Sequence, residues 1–437
     1  MTKRFQDIAP SGSNVKQERA WVDFVLLPAV TMSVGWGLRG FIGGGSLGAM
    51  IPGALVALVL CRGLGLPDAI CGRIAAFGAV GVGFGGQETY GQTVRLVTDA
   101  GPMFWRGVAG LGVKGAVWGL LGGAMIGTGL VAGRVTRRQW WVALVLLVAG
   151  TWLGWWLIDQ PKRLYFSNLL DRPRAEIWAG LLTGTFLFLG WIAVVLQARA
   201  RLVLALALLG AVGGGLGFAM GGASYAGGMA LGWPAVWYPG WKQMEFTFGL
   251  LLGAALGGAT WWQRDVVVAA VSESEPGQRS HGTAWWPVLS AVLAVALILG
   301  GSALPIRFGY TVSGAALLVL AFASERAAWQ IALTVTAGAF FLDVGKVFTE
   351  SHPTVPSVLV TVVALVLSTG LCLRVAARRA SGREMIGWSL RVLLWLAVAA
   401  AMGSTAFHPK NTPASLIVAA AFVGGGVLIT FLARVRG

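Results

Sequence analysis

Apolar runs of about 20 residues, separated by short polar stretches, recur along nearly the whole chain. At 1.5 Å per helical residue each run is long enough to cross a hydrocarbon core of roughly 30 Å. The pattern predicts an all-α, polytopic integral membrane protein of about 14 (12–14) transmembrane helices. Eight spans are expected near residues 22–38, 41–61, 70–86, 107–132, 140–158, 176–197, 201–221 and 244–262. Six more are expected near 285–304, 308–323, 327–345, 355–377, 388–407 and 413–433. The Gly-rich segments 35–53 and 211–232 are the expected places for broken or re-entrant helices, because non-helical backbone at membrane depth must be buried in protein.

Polar composition divides the chain further. Residues 1–21 are predominantly polar and read as a cytoplasmic tail, too long and mixed for a secretory signal. Residues 22–262 form an eight-span Gly-rich block, 263–284 a polar cytoplasmic linker with Pro and Gly, and 285–437 a plainer six-span block.

Composition supports this reading: 56% of the 437 residues are hydrophobic, 11% are charged, and the mean hydropathy is +0.75, so the lipid bilayer must cover surface that water could not. The net charge of +16 does not point to nucleic acid, because the basic residues are scattered between apolar spans and form no stripe. With the N-terminus inside, 21 of the 33 Lys and Arg residues fall on the cytoplasmic side, which predicts a bacterial-type inner membrane protein with both termini in the cytoplasm. Cys61, Cys71 and Cys372 contain no C-x-x-C pair and read as reduced structural thiols.

Short similarities run through the first block. LGAMIPGALVA (47–57) resembles GGAMIGTGLVA (122–132) at an offset of 75, and GLLGGAMIG (119–127) resembles GLLLGAALG (249–257) at an offset of 130. A G-x-G-[LF] element recurs in GWGLRG (35–40), GVGFGG (81–86) and GGGLGF (213–218). Repeated helix pairs are the expectation, set against the general enrichment of small residues at helix contacts in membranes.

Candidate chemistry concentrates between residues 83 and 119. A polar stretch carries Gln87, Glu88, Tyr90, Gln92, Arg95 and Asp99, followed by Trp105 and Arg106, with Lys114 and Trp118 inside the next span. An intramembrane lysine is a functional candidate by default. The offset of 75 sets Arg39 against Lys114, which predicts two cations lining one outward-facing pocket, balanced by Glu88, Asp99 and Glu245. Glu245 begins an apolar span, where a helix N-terminus would also stabilise it. Trp105, Trp118, Trp233, Trp237 and Trp241, with Tyr90, Tyr225 and Tyr238, fall at predicted outer ends, as an interfacial belt or as faces for a ring-containing solute.

A second outer loop, 158–178, holds Asp159, Lys162, Arg163, Tyr165, Asn168, Asp171, Arg172, Arg174 and Glu176, a solvated surface or a lid. His352 and His408 lack ligating neighbours and make a weak metal signal, and Asp343 with Lys346 reads as an intrahelical pair. No catalytic or dinucleotide motif is present and no cofactor is indicated.

Together these features predict a permease for a small polar organic solute, a sugar or an organic anion, with its site in the first eight spans. Substrate contacts are expected from Arg39, Gln87, Glu88, Tyr90, Gln92, Arg95, Asp99, Trp105, Arg106, Lys114, Trp118, Trp241 and Glu245. On this reading Lys114→Ala abolishes binding and leaves expression intact. An intramembrane enzyme with Glu88 and Asp99 as acid and base, and a non-catalytic complex subunit or sensor, are the alternatives.

Overall fold

The computed structural model of the protein describes residues 20–41, 45–99, 101–167, 174–272, 309–333, 382–407 and 412–434, with isolated positions 289, 292 and 293. Every regular element among the described residues is helical. Helix α1 opens with a π-helical turn, Val22–Leu26, and continues through Leu27–Phe41. It is followed by α2 (Gly45–Leu64), α3 (Asp68–Gly85), the short α4 (Gly91–Thr98), α5 (Phe104–Val131), α6 (Arg137–Gly154), α7 (Trp178–Leu196), α8 (Ala200–Ala230), α9 (Gly240–Trp262) and α10 (Arg264–Ser272). Later in the chain come α11 (Gly309–Ala323), α12 (Gly382–Phe407) and α13 (Pro413–Arg434).

Seven stretches of the described residues are long and apolar enough to cross a membrane. One of them, Trp178–Ala230, contains both α7 and α8, and the chain reverses between them at Gln197, whose φ is 52°. Helix α3 and helix α11 are apolar but shorter. Each of the eight runs read from the first block therefore falls on a helix. The segment 211–230 is unbroken helix within α8, so the expected interruption there does not occur. Part of the expected linker is also helical, because VVVAAV inside α10 buries Val267, Ala270 and Val271.

Six helices close a ring in the contact order α1, α2, α3, α5, α8, α9 and back to α1, each antiparallel to its neighbours. Glycine sets how closely they approach. Gly53 faces the backbone of Gly78, Gly115 that of Gly214, Gly119 the carbonyl of Gly210, and Gly253 the carbonyl of Pro28. A Cβ at any of these positions would run into main chain that has nowhere to move. In lipid there is little hydrophobic drive between helices, so this close van der Waals packing is what small residues contribute.

The recurring sequence elements fall on ring helices in a regular way: the G-x-G-[LF] elements lie on α1, on and just past the end of α3, and on α8, and the Gly-Ala elements on α2, α5 and α9. Outside the ring, α6 and α7 form an antiparallel pair joined through Gly150, Gly154, Gly180 and Gly184. Helix α11 lies against α3 and α6, α12 against α2 and α3, and α13 against α1 and α12. Cys61 and Cys71 are buried free thiols. Cys372, Asp343, Lys346, His352 and His408 lie outside the described residues.

Candidate functional site

Two charged clusters occupy the end of the ring at which α1 ends and α5 begins. They are joined by one tetrapeptide, Gln87–Tyr90, in the turn between α3 and α4.

The first cluster surrounds Lys114. Its side chain is wholly enclosed, and its ammonium lies 2.7 Å from Glu176 Oε1 and 3.1 Å from Glu88 Oε1. The three N–H groups of the ammonium have three shorter acceptors: Thr89 O at 2.6 Å, Glu176 Oε1 at 2.7 Å and Thr93 Oγ1 at 2.9 Å. Glu176 also receives the Ser167 hydroxyl at 2.8 Å and the Phe166 amide. Glu88 Oε2 receives the Ile177 amide at 3.1 Å, whereas Glu88 Oε1 receives no hydrogen bond. Asp159 caps the start of α7 by accepting the amides of Ala179 and Gly180. Glu88 lies in a turn outside the apolar helices, and burial pushes its carboxyl above the ordinary range, against the pull of Lys114.

The second cluster surrounds Arg39 at the end of α1. Its guanidinium carbon sits 5.1 Å from the Trp36 ring centroid, 5.2 Å from Tyr90 and 5.0 Å from Trp118. Arg39 donates to the Tyr90 hydroxyl at 2.7 Å, and that hydroxyl donates to Glu245 Oε1 at 2.8 Å. Glu245 also receives Trp241 Nε1 at 3.0 Å and pairs with Lys242 at 2.6 Å. No carboxylate lies within ion-pair distance of Arg39 among the described residues, and its buried Nε has no hydrogen-bond partner there.

Beneath the guanidinium the rings pack on one another. Trp36 meets Trp118 edge-on at 4.8 Å and Phe248 at 4.4 Å, and Phe218 lies 4.2 Å from Phe248. These rings come from α1, α5, α8 and α9, so the aromatic floor fills the inside of the ring at the level of Arg39. Trp118 is fixed by donating to Val82 O at 2.8 Å. On the other side the cluster approaches the surface through Gly40 and Trp241, which stacks on Tyr90 at 5.6 Å.

The two cations predicted to share a pocket therefore stand in different clusters. Arg39 ends α1, whereas Lys114 lies in the third turn of α5, a helix whose sequence counterpart is α2, so the offset of 75 pairs unlike places. Lys114 is enclosed by its own acceptors. Glu245 is in the second turn of α9 and fully buried, so it is a member of the Arg39 cluster and does not cap the helix. Gln87 turns away to α11 and donates to Thr311 at 2.8 Å, and Gln92 Oε1 is buried without a partner. Arg95 and Asp99 form a loose surface pair at 3.9 Å with side chains 56% and 57% exposed. Trp105 is 75% exposed, and the exposed Arg106 donates to Tyr165 O. Asn168, Asp171 and Arg172 lie outside the described residues.

Sequence reasoning missed Trp36, Lys242, Phe218 and Phe248, and placed Glu176 in a solvated loop. Two signals were available. Trp36 precedes Arg39 by three residues, one helical turn, and Lys242 precedes Glu245 by the same spacing. No protein-family model matches the chain, and no curated protein or solved structure is significantly similar to it.

Proposed function

We propose that the protein is a multi-pass permease for a small organic anion, received at Arg39 inside the six-helix ring. The observation that carries this reading is the guanidinium itself, buried, faced by three aromatic rings and without a carboxylate at ion-pair distance among the described residues. A buried cation lacking a counter-charge costs several kcal/mol. Desolvated cation–π contacts of about 2 kcal/mol offset part of that cost, and an incoming carboxylate supplies the missing charge with a hydrogen bond from the unpartnered Nε. Arg39 itself has no carboxylate at ion-pair distance among the described residues, which favours an anion over a neutral sugar, while the rings suit a flat or apolar body.

The ring reads as three helix pairs, α1 with α2, α3 with α5 and α8 with α9. The offset of 130 carries Trp118 onto Phe248, and the G-x-G-[LF] elements align Arg39 with Gly85 and Gly217. Gly85 packs on the Trp118 ring and Gly217 on the Phe248 backbone, so two pairs place a glycine against an aromatic residue. In the first pair the sequence has Arg39 at the glycine position and Gly43 at the aromatic one. A single cation thus stands at the interface of the repeats, where transporters built from repeats hold their solutes.

Orientation follows from charge. Arg62, Arg73, Arg134, Arg137, Arg138, Arg199, Arg201 and Arg264 stand at the helix ends opposite the site. By the positive-inside rule those ends are cytoplasmic and the Arg39 end faces outward, in a bacterial-type inner membrane and with about fourteen spans in all. The enzyme reading, which takes Glu88 and Asp99 as acid and base, is less favoured because Asp99 is on the surface and Glu88 is buried beside Lys114.

Uptake of labelled succinate and benzoate into proteoliposomes tests the proposal. Saturable uptake that is lost in Arg39→Met, with the variant still folded, is the expected result. Equal uptake by both proteins, or preference for the neutral amides of these acids, contradicts it.

A further inference from the structure

The Lys114 cluster has the opposite imbalance to the Arg39 cluster. One ammonium faces the carboxylates of Glu88 and Glu176, and all three side chains are at most 2% exposed. Helix α7 contributes backbone N–H groups to Glu88 and Asp159, which the N-terminus of a helix favours, but those are partial charges. Among the described residues, the remaining charged or titratable groups facing Glu88 are Asp159, at the end of the π-helical turn Trp155–Asp159 that follows α6, and Tyr165 in the following loop, where Arg106 of α5 is held by the Tyr165 carbonyl. Neither Asp159 nor Tyr165 supplies positive charge, and Arg106 is exposed.

One oxygen records the shortage. Lys114 has three N–H groups and spends them on Thr89, Thr93 and Glu176, so Glu88 Oε1, buried and 3.1 Å from the ammonium, is a fourth acceptor with no hydrogen. A buried acceptor left in this state is destabilising, the more so when it is charged.

We infer that Glu88 Oε1 is a proton-binding site, and that the proton taken up there is the ion coupled to anion binding at Arg39. The step is an ordinary protonation, in which a proton from water converts the carboxylate to the carboxylic acid and leaves Lys114 and Glu176 as a balanced pair. The route to Arg39 is covalent and two residues long. Thr89 O is held by Lys114, and Tyr90 holds both Arg39 and Glu245. Neutralising Glu88 loosens its ion pair with Lys114 and thereby the segment that positions the Tyr90 hydroxyl against Arg39. A proton on one side of Gln87–Tyr90 and an anion on the other cancel two opposite charge excesses, which is the electrostatic condition for taking both up together. The coupling rests on the permease reading, whereas the proton site stands on the Lys114 cluster alone.

Infrared difference spectroscopy of the purified full-length protein without solute tests the site. A protonated-carboxyl C=O component, shifted in D2O and titrating above the ordinary carboxylate range, is expected in the wild type and lost in Glu88→Gln. Glu176→Gln leaves one carboxylate per ammonium and is expected to move the midpoint of that band downward, and Asp159→Asn is expected to retain the band. A wild type with no such band, or a band that is unchanged in Glu88→Gln, overturns the inference. Should Glu88→Gln fail to fold, an unmoved midpoint in Glu176→Gln overturns it equally. A second reading uses stability. With the folded-state pKa of Glu88 raised, the stabilisation is present at low pH and lost as pH rises through that pKa, so the wild-type unfolding temperature should fall with pH more steeply than that of Glu88→Gln. The measurements need no anion, so their failure leaves the Arg39 site untouched and a failed uptake assay leaves the proton site untouched.

Discussion

The surroundings of Lys114 and of Arg39 show two ways for one chain to bury a cation. Lys114 is met by two carboxylates, a hydroxyl and a carbonyl, all within 3.1 Å. Arg39 is met by the faces of three rings and one phenol. The first arrangement ties α5, the turn before α4 and the entry to α7 together, and its loss should be felt by the fold. The second leaves donor capacity unused at the centre of the ring, and its loss should be felt by whatever enters. A buried charge, taken alone, does not mark a binding site; its partners decide between scaffold and function.

The sharpest way to break this distinction is to remove Lys114. Lys114→Met strands two buried carboxylates and should cost about 3–5 kcal/mol, enough to remove most folded protein from detergent extracts, as read by size-exclusion recovery and thermal unfolding. The permease expectation read from sequence alone, in which Lys114→Ala spares expression, changes for this reason. Normal recovery of Lys114→Met would show that the cluster is not scaffold.

Next in size is the ring itself. Gly119→Ala places a methyl against the Gly210 carbonyl and should destabilise the protein by about 1–3 kcal/mol, because backbone on both sides must separate. Gly258→Ala, in α9 with open space around its Cβ, should be neutral or slightly stabilising through helix propensity. Similar unfolding temperatures for the two variants would mean that the ring contacts are looser than described.

Arg39→Met comes third. It removes a cation with no direct carboxylate partner, leaves Tyr90 bonded to Glu245, and should shift stability by about 1 kcal/mol or less in either direction, since relief of the buried charge opposes the lost cation–π contacts. A loss as large as that of Lys114→Met would place Arg39 in the scaffold as well. Smallest of all is Arg95→Ala, which breaks an exposed pair at 3.9 Å and should change stability by less than about 0.5 kcal/mol and anion binding not at all.

Much of the first block was legible because apolar runs fix where helices lie, and the end of the chain's polar stretches fixed where they turn. What the pattern did not carry was closure. That α9 returns to α1 depends on Gly249, Gly253 and Gly257 facing Met32, Pro28 and Phe24, a match between segments more than 200 residues apart that no local window contains. Helix α4 was read as loop because only eight residues form it and half of them, Thr93, Val94, Leu96 and Val97, are buried by tertiary packing. Within the site, Arg39, Glu88, Tyr90, Lys114 and Glu245 stood out as polar groups among apolar neighbours. Their grouping did not, because the offset that related α2 to α5 was extended to Arg39, which lies on α1. Lys242 and Glu176 were passed over because a charge near a helix start looks like a surface charge until the partner it meets is known.

The measurement that tests the Arg39 account most directly is a thermal-shift titration of the purified protein with acetate, succinate and benzoate, each beside its neutral amide, in wild type and Arg39→Met. A ligand that binds only the folded state raises the unfolding temperature in proportion to its occupancy. The account predicts that at least one acid stabilises the wild type, that its amide does not, and that Arg39→Met abolishes the shift. Stabilisation by acid and amide alike, or a shift that survives in Arg39→Met, would contradict it.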